Sequence, residues 1–220
     1  MTPRMSQPSN SRRIPAVAVR RLPLYLRVLE ELHTEGVDVT SSADLSRRCG
    51  YSSEQIRKDL AYFGAFGTRG LGYDVGQLSQ QLRRILGLTG AVPVALVGAG
   101  NLGTALIRYA SQNSRDTYVA AVFDADDRKV DMDIAGLRVR PMTELRATVR
   151  DLGIRIGVIA VPGENARQVF DELCAADITA ILNFAPTKLE RRAINVQNVD
   201  LTTELQSLAY FALGAGAGDA

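Results

Sequence analysis

The sequence predicts an α/β protein in two parts, a helical front half and a back half built on a doubly wound parallel sheet. Three observations carry this expectation. The back half repeats short apolar runs separated by helical segments, which is how strands buried on both faces of a parallel sheet read. The front half shows helix starts and stops but no such strand until late. The charge divides as well. Residues 1–87 carry 13 Lys/Arg against 8 Asp/Glu (+5), and residues 88–220 carry 13 against 16 (−3), within a total of +2. A basic front half on an acidic back half fits a nucleic-acid module joined to something else.

Composition narrows the class. Of 220 residues, 46% are hydrophobic and 23% charged, as in ordinary folded proteins. No apolar run approaches the roughly 18 residues of a membrane span. The start, "MTPRMSQPSNSRR", lacks the apolar core of a signal peptide and reads as a disordered tail of a cytoplasmic protein. Cys49 and Cys174 are too few for a disulfide framework, and no His/Cys cluster suggests a metal.

In the front half, "RRLPLYLRVLEELHTEG" is a helix that stops at Gly36, and "SSADLSRRCG" is a short helix closed by Gly50. "YSSEQIRKDLAYFG" is a third, with Ser52 and Gln55 as a capping box and Gly64 as its stop. A short glycine-containing turn between the second and third helices reads as a helix-turn-helix. "AFGTRGLGYDV" then reads as a hairpin, which makes the domain winged, and "GQLSQQLRRILGL" is a connecting helix. On a helical wheel Ile56, Leu60 and Phe63 share the inner face of the third helix, so Arg57 and Lys58 face outward. Arginine pairs bidentately with guanine, and lysine reaches a base edge or a phosphate. Ser52, Ser53, Arg47 and Arg48 are placed for phosphates, and Arg69 for a minor groove. Arg57 and Lys58 taken alone would be ordinary surface charges. The turn, the cap and the hairpin together favour DNA binding.

In the back half, "VPVALVGAG" is a strand running into a glycine turn. The expected helix after it places Leu102, Ala105, Leu106 and Tyr109 on one face. "YVAAVFD", "GLRVRP", "RIGVIAVP", "AILNFAP" and "NVQNVDL" are the later strands, with "ENARQVFDELCAAD" a helix between two of them. Gly98, Gly100 and Gly103 form G-x-G-x-x-G between a strand and a helix. This is the Rossmann dinucleotide arrangement, in which phosphates meet the free N–H groups of a helix start. Asp124, 21 residues beyond Gly103 at the end of the next strand, is placed for the ribose 2′-hydroxyl and so favours NAD over NADP. Arg128 and Lys129 nearby keep NADP open. The single histidine, His33, lies in the front half, and neither Lys188 nor Tyr109 has an obvious catalytic partner. A site that binds the dinucleotide without turning it over fits better than a dehydrogenase. "TTELQSLAYFALG" is a last helix with Thr203 and Gln206 as a capping box. The expected divisions are a tail at 1–19, a winged-helix domain at 20–87, a Rossmann domain at 88–200, a terminal helix at 201–213 and a tail at 214–220.

"SSEQIRKDLAYFGAFGTRGLGYDV", followed by "LVGAGNLGTAL", "VFD", "VP", "ILNFAP" and "NVDLTTELQ", resembles the Rex family of redox-sensing transcriptional repressors over about residues 20–211. The resemblance implies a homodimer that binds inverted-repeat operators of the TTGTG…CACAA type and leaves them when NADH is bound, while the NAD⁺ form or the apo form can bind DNA. It implies that Gly98, Ala99, Gly100, Asn101, Leu102 and Gly103 hold the pyrophosphate and Asp124 the adenosine ribose. Val161, Pro162, Asn183 and Phe184 would border the nicotinamide. It places Arg27, Tyr109 and Asp200 in a cofactor-dependent polar network. It makes the terminal helix, with Leu205, Leu208 and Phe211, domain-swapped onto the partner. The alternatives are an NAD-dependent oxidoreductase with an accessory helical domain and a CoA-binding protein of similar nucleotide fold.

Overall fold

The computed structural model describes residues 14–64, 67, 71–113 and 116–213. The chain divides into two compact units at Gly90/Ala91, three residues beyond the expected boundary. Each is taken by itself.

The front unit opens with α1 (Ala16–Thr34). Its start lies inside the expected tail, because Ala18 is already fully buried and continues the stripe of Leu22, Tyr25, Leu26, Leu29 and Leu32. Pro23 falls within it. A two-residue strand, β1 (Val39–Thr40), leads to α2 (Ser42–Cys49) and α3 (Ser53–Ala61). Gly50, at φ +73°, makes the left-handed turn between them that a side chain would strain. β2 (Tyr73–Asp74) pairs antiparallel with β1, so the sheet of this unit closes against the strand before α2. The expected hairpin across 65–75 pairs there instead, and residues 65–66 and 68–70, with Arg69, lie outside the described residues. α4 (Val75–Ile85) packs beside α1. The core joins α1, the Ile56–Leu60 face of α3, and Val75, Leu78 and Leu82 of α4.

The caps differ in part from expectation. Ser41 and Asp44 form the full capping box of α2. Ser52 accepts from the Gln55 N–H, but the Gln55 side chain turns to Asp59, so α3 has half a box. α3 ends at Ala61, before Gly64.

The back unit holds β3 (Val92–Val97), α5 (Asn101–Asn113), β4 (Thr117–Asp124), β5 (Asp133–Ile134), β6 (Leu137–Pro141), α6 (Leu145–Asp151), β7 (Ile156–Ile159), α7 (Gly163–Ala175), β8 (Ala180–Asn183) and β9 (Asn195–Asn198). The sheet order is β5-β6-β4-β3-β7-β8-β9, parallel except for the short β5–β6 pair. From β6 to β9 this is the Rossmann order 3-2-1-4-5-6, and the strand direction reverses its march between β3 and β7. α6 and α7 cover one face over Val97, Phe123, Ile159 and Ile181. α5 covers the other over Leu96, Val122 and Val139. Both faces are covered as expected, the second one mainly over β3, β4 and β6. The β8–β9 connection carries no helix, and Ile156, Val158, Ala180 and Leu182 stay half-buried.

α8 (Leu201–Ala212) ends the described chain and has no buried residue. Leu205 is 67% exposed and Phe211 73%, with Leu201, Leu208, Tyr210 and Leu213 also open. Its cap is Asp200, which accepts from the N–H groups of Thr202 and Thr203 and from the Thr203 hydroxyl. The expected Thr203–Gln206 box is thereby replaced. Residues 214–220 lie outside the described residues.

Candidate cofactor cleft and nucleic-acid interface

The cleft sits at the carboxyl ends of β3, β4 and β7, where an open α/β sheet binds ligands. It has a volume of about 520 Å³ and is lined by Gly98, Gly100, Asp124, Lys129, Val161 and Pro162 among others. The glycines have separable roles. Gly98 has φ +109°, and a Cβ there would lie 2.4 Å from the Ala160 carbonyl oxygen. At Gly103 a Cβ would lie 1.8 Å from the Gly98 carbonyl oxygen, so the helix can sit this close to the turn only with glycine. At Gly100 a Cβ would meet no protein atom within 4 Å. Folding therefore leaves Gly100 unconstrained, while the open space beside it is where a pyrophosphate approaches a helix start. The geometry fits a dinucleotide.

Asp124 is buried at the end of β4. Its Oδ2 accepts from the Ala99 N–H at 2.8 Å and the Lys129 ammonium at 3.0 Å, and its Oδ1 from the Asp126 N–H at 2.9 Å. Burial works against the charge, but these hydrogen bonds outweigh it and hold the carboxyl below its usual range. A carboxylate has about four acceptor positions, so one on Oδ1 remains after these three hydrogen bonds. Arg128 turns away to fork onto Asp126, whose pKa falls to about 2 through that hydrogen bond.

Val161 and Pro162 line the cleft, and Pro162 is the N-cap residue just before α7. Asn183 ends β8. It is fully buried, and its amide donates to the carbonyls of Ala185 and Thr187 and to Asn198 Oδ1, while its own oxygen accepts from the Ala185 N–H. Its side chain holds the loop after β8 to β9 and has no donor left for a ligand. Phe184 is half-buried and does not line the cleft. The α5 face is corrected. Gly103 and Ile107 are its buried positions, whereas Tyr109 is 67% exposed, because close packing at Gly103 sets the rotation of the helix. Among the described residues no cluster of metal-binding side chains occurs, and no helix is long and apolar enough to cross a membrane.

In the front unit α3 presents Glu54, Arg57, Lys58 and Ala61 outward, with Ile56 and Leu60 inward, as the wheel predicts. Arg57 donates to the Ser42 hydroxyl at 2.8 Å. Arg47 pairs with Asp44 and Arg48 forks onto Glu35 at 2.7 Å, both at exposed positions, where such pairs are weak and a phosphate competes readily. Ser52 and Ser53 stand at the start of α3. Arg27 lies on the exposed side of α1, 4.0 Å from Glu31.

Sequence patterning alone gave no sign of Asp59. It is 0% exposed on α3 and accepts four hydrogen bonds: Arg21 Nε at 2.5 Å, Arg21 Nη2 at 2.7 Å, the Tyr25 hydroxyl at 2.7 Å and Gln55 Nε2 at 2.7 Å. Burial disfavours its charge, and the bonds from Arg21, Tyr25 and Gln55 more than compensate, so its pKa lies below the ordinary value. A lowered folded pKa means that the unfolded chain takes the proton first. The stability this group contributes is present above about pH 4 and is lost as pH falls through the lowered value. Urea midpoints are expected to drop from about pH 4 downward. A midpoint that rises on acidification would contradict the assignment.

An outward-facing basic helix on a winged helix-turn-helix, with a dinucleotide cleft on a Rossmann sheet, defines a DNA-binding regulator with a nucleotide site. The comparisons agree. Residues 13–61 match the family described as "Putative DNA-binding protein N-terminus" and residues 90–187 the "CoA binding domain" family. The redox-sensing transcriptional repressor Rex of Natranaerobius thermophilus is 46% identical over 90% of this chain and 91% of its own length. That of Streptomyces coelicolor is 48% identical over 92% and 79%. Among solved structures, RSP in complex with β-NAD⁺ and operator DNA has a TM-score of 0.84 at 35% identity, covering 93% of this chain and 94% of that one. RSP in complex with β-NADH has a TM-score of 0.79 at 33% identity, covering 93% and 96%. The chain belongs to the Rex family of redox-sensing transcriptional repressors, and it is a regulator, not an enzyme.

Proposed function

We propose that this chain represses transcription as a homodimer on an inverted-repeat operator and leaves the DNA when NADH is bound in the cleft. The observation that carries the reading is the pairing of an open glycine cradle at Gly98–Gly103 and Asp124 with an outward-facing α3, in one chain of the Rex family. Gly98, Ala99, Gly100, Asn101, Leu102 and Gly103 hold the pyrophosphate, and Asp124 holds the adenosine ribose. Val161 and Pro162 form an apolar border for the nicotinamide. An apolar border favours the neutral reduced ring over the cationic oxidised one, because a buried unpaired charge is costly. Arg47, Ser52, Ser53, Arg57, Lys58 and Arg69 are the DNA-facing set. Arg27, Tyr109 and Asp200 pass the cofactor's state to the DNA-binding unit.

The dimer rests on α8. A helix with every large apolar side chain exposed needs a partner, and a second copy satisfies an isologous interface. Leu205, Leu208 and Phe211 are assigned to the partner chain in a domain swap. Two chains then present two α3 helices to the half-sites of a palindrome. If DNA and NADH favour different spacings of those helices, each weakens the other by linkage. A complete switch needs about 5.5 kcal/mol of differential binding.

The test is anisotropy of a labelled TTGTG…CACAA duplex at fixed salt, titrated with NADH, NAD⁺, NADPH and CoA. Release by NADH alone supports the reading, and operator binding indifferent to all four overturns the redox mechanism. Asp124→Ser is expected to weaken NADH about tenfold, a loss of about 1.4 kcal/mol. The same change leaves Lys129 without its carboxylate, so the NADPH to NADH affinity ratio is expected to rise. An unchanged ratio would remove Asp124 from cofactor choice.

A further inference from the structure

We propose that Asp59 is a positioning residue for DNA reading, fixing the rotation and slide of α3 on α1 so that Arg57 and Lys58 are presented to the groove in one register. The inference rests on the DNA-binding reading above. The apolar face of α3 consists of Ile56 and Leu60, with Phe63 partly buried just beyond its end. Hydrophobic burial is non-directional and tolerates small rolls and slides of a nine-residue helix. The cluster around Asp59 is directional. Arg21 grips both carboxylate oxygens as a planar fork, Tyr25 adds a bond one turn further along α1, and Gln55 adds one from the preceding turn of α3 itself. The cluster also reaches the start of α3. The Arg21 guanidinium lies 5.5 Å over the Tyr51 ring, and Tyr25 meets that ring edge-on at 6.1 Å. The helix is therefore held at Tyr51, before its first residue, and at Asp59, near its last.

Arg57 and Lys58 precede Asp59 directly, so a roll of α3 moves both relative to the groove. Base readout depends on bidentate geometry and phosphate contact does not. Loss of the clamp should then lower the preference for the operator more than it lowers binding to DNA in general. A buried ion pair contributes little net stability over a packed apolar pair, so stability and register can be separated experimentally.

The experiment uses the full-length chain and compares binding to the operator duplex with binding to a scrambled duplex of equal length, at several salt concentrations. The main variant is Arg21→Met with Asp59→Leu, which keeps the volume and removes the charges together. Its thermal midpoint is expected to fall only by what one orphaned hydroxyl costs, because buried Tyr25 loses its acceptor at Asp59. Its operator-to-scrambled ratio is expected to fall at least about tenfold, the scale of one mismatched base pair, with the salt slope on scrambled DNA unchanged. An undiminished ratio overturns the proposal. If the double variant does not fold, Tyr25→Phe decides the matter. It keeps the ion pair, removes one bond, and is expected to lower the ratio about threefold, in line with one net hydrogen bond; an unchanged ratio there also overturns it. Wild-type protein that fails to prefer the operator would sink the DNA-binding reading instead, so the two failures are distinguishable.

Discussion

Gly100→Ala is expected to fold like the parent chain and to lose its response to NADH. A Cβ at this position meets nothing within 4 Å, and its backbone lies outside the left-handed region, so the native state accepts alanine without strain. The added methyl enters the space through which a pyrophosphate would approach the α5 start, and NADH affinity is expected to fall at least about tenfold. Calorimetric titration with NADH beside a thermal melt checks both halves. Gly103→Ala provides the contrast. There the Cβ would lie 1.8 Å from the Gly98 carbonyl oxygen and 3.2 Å from Leu96, so α5 must move away from β3. Overpacking on this scale costs about 3 kcal/mol, and the melt of Gly103→Ala is expected to fall markedly. Equal melting of the two variants would show that the packing role assigned to Gly103 is wrong. Full NADH binding by Gly100→Ala would show that the cofactor lies elsewhere.

Leu205→Asp combined with Phe211→Asp is expected to convert the protein to a monomer and to weaken operator binding by at least about 100-fold. Both side chains are exposed on their own chain, so the charges disturb no buried packing and remove only the exposed edge contact of Phe211 with Tyr210. They lie on the face that the proposed swap would bury, where large apolar anchors contribute about 2 kcal/mol or more each. A monomer also forfeits the effective concentration that links two half-site contacts. Sedimentation velocity reads the first effect and anisotropy the second. A double variant that remains dimeric would remove α8 from the interface and leave its exposed leucines unexplained.

Local features of the fold were readable in the chain, and features made by distant residues were not. The glycine motif sits within six residues between a strand and a helix, so Gly98, Gly103 and the following strand through Asp124 announce themselves. The outward setting of Arg57 and Lys58 follows from the spacing of Ile56 and Leu60 in the same helix. Asp59 looked like one more polar residue because its partners, Arg21 and Tyr25, lie 38 and 34 positions away. The partners of Asn183 were hidden for the same reason. Its amide is claimed by Asn198, 15 residues on, and by a loop whose path the strand pattern does not reveal. The face of α5 was misread because Leu102 and Tyr109 satisfy helical periodicity, whereas close approach at Gly103 decides the rotation. The seven-residue α6 carries too short a period to declare itself.

The order of the sheet bears on how the chain is made. β3, its central strand, is the first of the seven to be synthesised, and β4 and β6 then add outward on one side. β7, β8 and β9 follow on the other side in turn, so no strand must be inserted between two already paired. A chain emerging from the ribosome can thus complete this sheet by edge growth while later segments are still being translated. The last described element to emerge, α8, has no buried place on its own chain. If α8 pairs two chains as proposed, translation order keeps it back until the body that presents it is finished, which limits the time in which an incomplete chain can join a neighbour.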